Sequence, residues 1–149
     1  MRELAHGGHL DYDALIIATG SRPRVLPTKG ATLHGVHDLR DLSDVERIRP
    51  NMIAGRKMVI VGAGYIGLEA AAVARQMGLD VTVLEMAPRV LARVTSPVMS
   101  DFFETEHRAQ GVQILTGARL DHLDGDGDKV TAAILADGTR IDADIVLVG

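Results

Sequence analysis

Met58-Val59-Ile60-Val61-Gly62-Ala63-Gly64-Tyr65-Ile66-Gly67-Leu68-Glu69 is the stretch on which the fold turns. Its first four residues form an apolar run closed by glycine, the pattern of a strand buried on both faces of a parallel sheet. From Gly64 to Met77 the residues favour helix, and Ala70, Ala71, Ala72 and Ala74 are small enough for close packing on a sheet. Gly78 stands where a helix C-cap is wanted. Val81-Thr82-Val83-Leu84 follows as a second strand, which gives a strand–helix–strand unit whose crossover is right-handed.

Each glycine has a physical task. Gly62 makes the tight turn out of the strand, Gly64 lets backbone approach a pyrophosphate, and Gly67 lets helix and strand pack closely. The helix start adds unpaired N–H groups and a partial positive charge that suit phosphates. Glu85 ends the second strand, eighteen residues beyond Gly67, where a carboxylate can accept hydrogen bonds from a ribose. A packing turn for the glycines and a solvated strand end for Glu85 are the plainer alternatives. Strand, glycine triplet, helix, strand and terminal acid in this order favour dinucleotide binding. Two competing nucleotide folds do not fit. Ile66 stands where a methyltransferase of the common type has its last glycine, and Tyr65 and Tyr12 are followed four residues on by Glu69 and Ile16, not by the lysine of a short-chain dehydrogenase.

Upstream, Ala14-Leu15-Ile16-Ile17-Ala18 is a strand candidate ended by Thr19-Gly20. Pro23 and Pro27 punctuate the connection to a polar helix near Leu39 to Ile48, and Pro50, Asn51 and Gly55 close that helix off. Downstream, Ser96 and Pro97 suit the N-cap and first turn of a helix whose apolar side holds Val98, Met99, Phe102 and Phe103. Gly111 stops it, and Val112–Leu115 returns as a strand. Strand segments at Arg119–Leu123, Val130–Leu135 and Thr139–Ile141 are joined by turns at Asp124-Gly125 and Asp137-Gly138, and Ile145–Val148 ends the chain before Gly149.

These elements predict an α/β, Rossmann-like dinucleotide-binding domain in three layers: a short parallel sheet, helices on one side, and an antiparallel meander on the other. With 149 residues, 46% apolar and 24% charged, the chain has the size and make-up of one globular domain. A net charge of −4 disfavours nucleic acid, no apolar run is long enough to span a membrane, and Met1 to Gly8 is too polar for a signal peptide. The absence of cysteine fits a reducing cytoplasm. Asp124, Asp126 and Asp128 alternate as in a calcium loop, but Leu135 occupies the twelfth position, which needs a bidentate Glu. His6, His9, His34 and His37 read as surface loop residues, and no metal is expected.

The segment Val59 to Glu69 resembles the NAD-binding domain of the pyridine-nucleotide-disulfide oxidoreductase superfamily. Arg89-Val90-Leu91-Ala92-Arg93-Val94-Thr95-Ser96-Pro97 is similar to the branch that contains putidaredoxin, rhodocoxin and rubredoxin reductases. Tyr12 to Gly20 and Asp142 to Gly149 resemble the stretches where the chain leaves and re-enters the FAD domain. The resemblance implies hydride transfer from NADH to FAD, then electron delivery to a ferredoxin-like iron–sulfur protein. It implies that Gly62, Ala63, Gly64, Tyr65, Ile66 and Gly67 hold the NAD pyrophosphate side, with Tyr65 and Glu69 near the nicotinamide and flavin. It also places Glu85 on the adenosine ribose, Arg93 on the adenosine diphosphate, and Gly149 against the dinucleotide from the opposite side. Arg89, close to Glu85, is expected to moderate a preference for NADH over NADPH. Arg89 and Arg93 can equally be read as solvated loop charges.

Ala18, Thr19 and Gly20 would be remnants of a FAD site. Residues 1–24 are thus expected to be a partial FAD domain and 25–149 the NAD(H) domain. The family's first glycine-rich motif and its interface domain are not in this sequence, so the chain by itself is expected to bind NAD(H) only. It is also expected to self-associate through Ala14–Ala18 and Ile145–Val148. A non-enzymatic nucleotide-sensing module, or an inert truncation, is the alternative from another class.

Overall fold

The computed structural model describes residues 2–3, 5–23 and 26–149. The expected domain boundary, at Arg24 and Val25, lies outside the described residues. A short antiparallel pair opens the chain, β1 (Arg2–Glu3) with β2 (His9–Leu10), which puts His9 on a strand and not in a loop. The main sheet is β3 (Val36–Asp38), β4 (Lys57–Val61), β5 (Asp80–Glu85), β6 (Gln113–Thr116) and β10 (Ile145–Val148), all parallel, in the order β3-β10-β4-β5-β6. The helices are α1 (Leu42–Ile48), α2 (Tyr65–Gln76) and α3 (Pro97–Ala109), with a 3-10 turn at Arg49–Asn51. A separate antiparallel sheet joins β7 (Leu120–Asp126), β8 (Lys129–Leu135) and β9 (Arg140–Asp142).

Strand alternation builds the three layers. Met58 and Ile60 of β4, Val81 and Val83 of β5, and Ile145 and Leu147 of β10 meet Leu68, Ala71 and Ala74 of α2 in one core. Val59, Leu84 and Val146, one residue out of phase, meet Leu123, Val130 and Ala133 of the meander in a second core. Each fully buried side chain of this size stabilises the fold by about 1.5–3 kcal/mol. The predicted three-layer arrangement is the one observed. Strand order reverses direction at β4, with β5 and β6 on one side and β10 and β3 on the other, so the end of β4 is the crevice where ligands of open α/β sheets bind. Among the described residues no helix is long and apolar enough to cross a membrane.

Several local expectations are corrected. Ala14–Ala18 is not a strand: no partner pairs with it among the described residues, and Leu15, Ile16 and Ile17 are exposed. A strand exists only through its ladder, however β-prone its residues. Conversely, Val36-His37-Asp38 does pair, because β10 offers it an edge. The α1 helix begins later than Leu39 because the Asp41 carboxylate accepts from the Ser43 and Asp44 N–H groups, while that of Asp44 accepts from Asp41, a reciprocal cap.

Asp124-Gly125 lies inside β7, and the turn sits after Asp126, where Gly127 has φ +59. Gly125 is needed for close approach, since an added Cβ would lie 2.8 Å from the Lys129 carbonyl and 2.9 Å from the Leu33 side chain. Helix α3 is also rotated from its expected face. Val98 and Phe102 are exposed, while Ser100 is buried and His107 points inward, its ring nitrogens 2.8 Å from the Phe103 carbonyl and 3.0 Å from that of Leu68 in α2.

His37, expected on the surface, is half-buried, and its Nε2 has no hydrogen-bond partner. Burial first, and the Arg47 guanidinium second, hold its pKa below the ordinary histidine value of 6.5, against the pull of Asp38 and Asp44. A folded-state value below the unfolded one means that the unfolded chain takes up the proton first. The His37 contribution therefore costs nothing above pH 6.5 and destabilises the fold as pH falls below it. Replacing His37 by Phe should flatten the fall of Tm between about pH 7 and pH 5. An unchanged slope in thermal melts across that range would contradict this assignment.

Candidate dinucleotide-binding site

The end of β4 is fixed by backbone bonds before any side chain acts. The Gly62 N–H donates to the Leu84 carbonyl at 2.8 Å, and the Gly149 N–H donates to that of Val61 at 3.0 Å. Gly62 has φ +110, a conformation L side chains avoid, and an added Cβ there would lie 3.0 Å from the Gly149 carbonyl. At Gly67 a Cβ would lie 2.1 Å from the Gly62 carbonyl, so helix and strand touch backbone to backbone. Gly149 packs against Gly67 from β10, so Gly62, Gly67 and Gly149 form one contact.

Gly64 differs. Its φ of −79° and ψ of −178° are ordinary extended values, and an added Cβ would meet nothing within 4 Å. The fold does not require glycine there. Gly64 is the N-cap of α2 and, lacking a side chain, leaves the helix start open. Beside it, Glu85 Oε2 accepts the Ala63 N–H at 2.8 Å and Oε1 accepts the Ala87 N–H at 2.7 Å. Each oxygen retains acceptor capacity toward a ligand hydroxyl. The site is thus a concave backbone surface with free amides, partial positive charge and one adjacent carboxylate.

A family described as pyridine nucleotide-disulphide oxidoreductase matches residues 2–149. The chain is 46% identical to putidaredoxin reductase of Pseudomonas putida over 98% of its own length and 36% of that protein's. It is 42% identical to rhodocoxin reductase of Rhodococcus erythropolis, over 99% and 34%. The crystal structure of a covalent putidaredoxin reductase–putidaredoxin complex superposes with a TM-score of 0.88 at 45% identity, covering 99% of this chain and 36% of that one. The chain belongs to the pyridine nucleotide-disulphide oxidoreductase family. It spans about a third of the length of the curated relatives it matches.

As a member of this family, the chain places the other expected residues unevenly. Tyr65 and Glu69 are exposed one helical turn apart on α2, and Ile66 is exposed beside them. Glu69 and Ile66 head an apolar groove of about 570 Å³ that runs down α2 past Val73 to Met77 and does not include Gly62, Gly64 or Glu85. This groove is therefore not the glycine site; the glycine site is assigned on its backbone geometry. Arg93 is exposed.

Arg89 is neither solvated nor turned to the site. Its guanidinium is bound to the Thr95 and Ala92 carbonyls and to Ser100 Oγ. Sequence reasoning missed this loop. The available signal was Ser100, a polar residue on the same helical face as Phe103 and His107. Ala18, Thr19 and Gly20 are exposed, and a Cβ on Gly20 would meet nothing within 4 Å.

These contacts separate packing from binding. Gly67→Ala should cost roughly 2–3 kcal/mol and lower Tm on the order of 5–10 °C. Gly64→Val should leave stability within about 1 kcal/mol. Thermal unfolding of both variants checks the contrast, and equal losses would mean that Gly64 too serves packing.

Proposed function

We propose that this chain is the NAD(H)-binding domain of a FAD-dependent ferredoxin-type reductase, and that by itself it binds NAD(H) alone. The observation that carries the reading is the open Gly64 at the unpaired start of α2. Gly62 and Gly67 are demanded by the turn and by packing, and Gly64 is left to be explained by a ligand that must touch backbone. Family membership and the similarity to putidaredoxin and rhodocoxin reductases support the same role for the whole protein.

NADH bound here supplies a hydride to FAD, from which electrons pass to a small iron–sulfur protein. The residues of this chain bind and orient. Amides at the start of α2 receive the pyrophosphate, helped by the helix dipole. Glu85 accepts the adenosine ribose hydroxyls while it braces Ala63, and exposed Arg93 lies along the diphosphate. Tyr65 and Glu69, on one face of α2, flank the nicotinamide, with Gly149 closing the opposite side. No acid or base chemistry is asked of them; the contribution is position. Flavin contacts made by Ala18, Thr19 and Gly20 would need partners beyond those in this chain.

Glu85 repels a 2′-phosphate, and the Arg89 guanidinium is engaged by Ala92, Thr95 and Ser100, so NADH should bind more tightly than NADPH. Glu85→Ala removes a charged acceptor whose hydrogen bonds are each worth roughly 1.5–3 kcal/mol, and should weaken NADH about tenfold or more. Gly64→Val should abolish binding in a folded protein. Calorimetric titration with both nucleotides decides the matter: equal affinities, tighter NADPH, or normal binding by Gly64→Val would sink the proposal.

A further inference from the structure

Residues 86–95 begin the connection between β5 and α3, and Leu91 within it is buried with φ +52, the left-handed region that a β-carbon disfavours. Such a conformation persists only where the surroundings hold it. The Val94 and Thr95 N–H groups donate to the Leu91 carbonyl at 3.0 and 3.1 Å, and Arg89 ties together the residues on either side. Its Nη1 donates to the Thr95 carbonyl at 3.0 Å and to Ser100 Oγ at 2.6 Å, and its Nη2 donates to the Ala92 carbonyl at 2.9 Å. Ser100, fully buried, completes the ring by donating from Oγ to the Val90 carbonyl at 2.6 Å. A planar guanidinium can serve these three acceptors at once, and an ammonium cannot do so in the same geometry.

The loop reaches the glycine site through the Ala87 N–H, which donates to Glu85 Oε1 at 2.7 Å, and through the Leu91 N–H, which donates to the Ala63 carbonyl at 2.9 Å; the second bond bears on the phosphate side. That carbonyl shares a peptide unit with the Gly64 N–H. In a trans peptide the two groups point in opposite directions, and no cis bond occurs among the described residues. With the Ala63 carbonyl turned onto Leu91, the Gly64 N–H is turned away from the loop, where it donates to no group among the described residues. The other end of Ala63 is held too, by Glu85.

We infer that Arg89 is a positioning residue for the dinucleotide: acting through Ser100 and the carbonyls of Ala92 and Thr95, it sets Leu91 so that the Gly64 N–H is aimed at the pyrophosphate. The inference rests on the NAD(H) reading above, in which Arg89 itself touches no part of the nucleotide. Its effect falls chiefly on the phosphate side of the site, because the bond it controls is at the Ala63 carbonyl, in the peptide unit that carries the Gly64 N–H, whereas Glu85 holds the Ala63 N–H of the preceding unit.

The test uses wild type, Arg89→Met and Arg89→Lys, each titrated with NADH, ADP-ribose and adenosine well below its Tm, with the Gly64 amide followed by NMR. Arg89→Met should weaken NADH and ADP-ribose about tenfold or more while adenosine, which has no phosphate, binds as before. Arg89→Lys should fall between, and in both variants the Gly64 amide resonance should move before ligand is added. If wild type binds no NADH, the functional reading fails and this inference falls with it. If wild type binds and both variants match it for ADP-ribose, the inference alone is overturned. An equal loss for adenosine, or failure of both variants to fold, would make Arg89 a residue of the fold only and would overturn it as well.

Discussion

The carbonyl oxygen of Gly62 stands 2.1 Å from the place a β-carbon on Gly67 would occupy, and the rest of the site follows from that approach. Because strand end and helix start meet backbone to backbone, α2 begins directly over the end of β4. Its first amides then have neither an intrahelical partner nor a capping side chain. The same closeness admits Gly149 from β10, so the last strand reaches the crevice created by the first crossover. A bulkier residue at 62 or 67 would part these elements and remove the phosphate surface without altering any polar group.

The sheet beneath transmits this arrangement because it is buried on both faces. Met58 and Ile60 anchor α2 from one side, while Val59 anchors the meander from the other. The end of β4 is therefore gripped between two cores and is not free to tilt when the loop beyond it meets a charged ligand. Interiors packed on both sides resist such shifts. This would give the antiparallel layer a part in the proposed binding although it supplies no site residue: it backs the strand from which Gly62 departs.

What was legible in the sequence is what local chemistry determines. Glycine spacing, the apolar run before it, the alanines of α2 and the acid at the end of β5 each carry their own signal, and all fell where expected. Elements that depend on a partner did not show. Ala14–Ala18 has a strand's composition and no ladder, while Val36–Asp38 has little strand signal and acquires one from β10. Asp124-Gly125 has a turn's composition, but Gly125 is occupied by the approach of Leu33. Helix α3 showed an apolar stripe that faces out, because its inner face is held by hydrogen bonds from Ser100 and His107 as well as by Phe103. Periodicity counts apolar side chains and is blind to polar groups satisfied inside.

Glu85 illustrates why a residue found by motif can still have an incomplete role. As a ribose acceptor it would need only to stand at the strand end with its carboxylate free. In the structure both oxygens are already at work, one on Ala63 and one on Ala87, so on the proposed reading the group that discriminates between nucleotides would also fix the loop that receives their phosphates. Recognition at the two ends of the proposed adenosine diphosphate would therefore be coupled through one side chain. A change of cofactor preference made at Glu85 alone would disturb the phosphate surface at the same time. It would have to be accompanied by some other acceptor for the Ala63 N–H, since a backbone donor left unpaired there would cost as much as the new contact contributes.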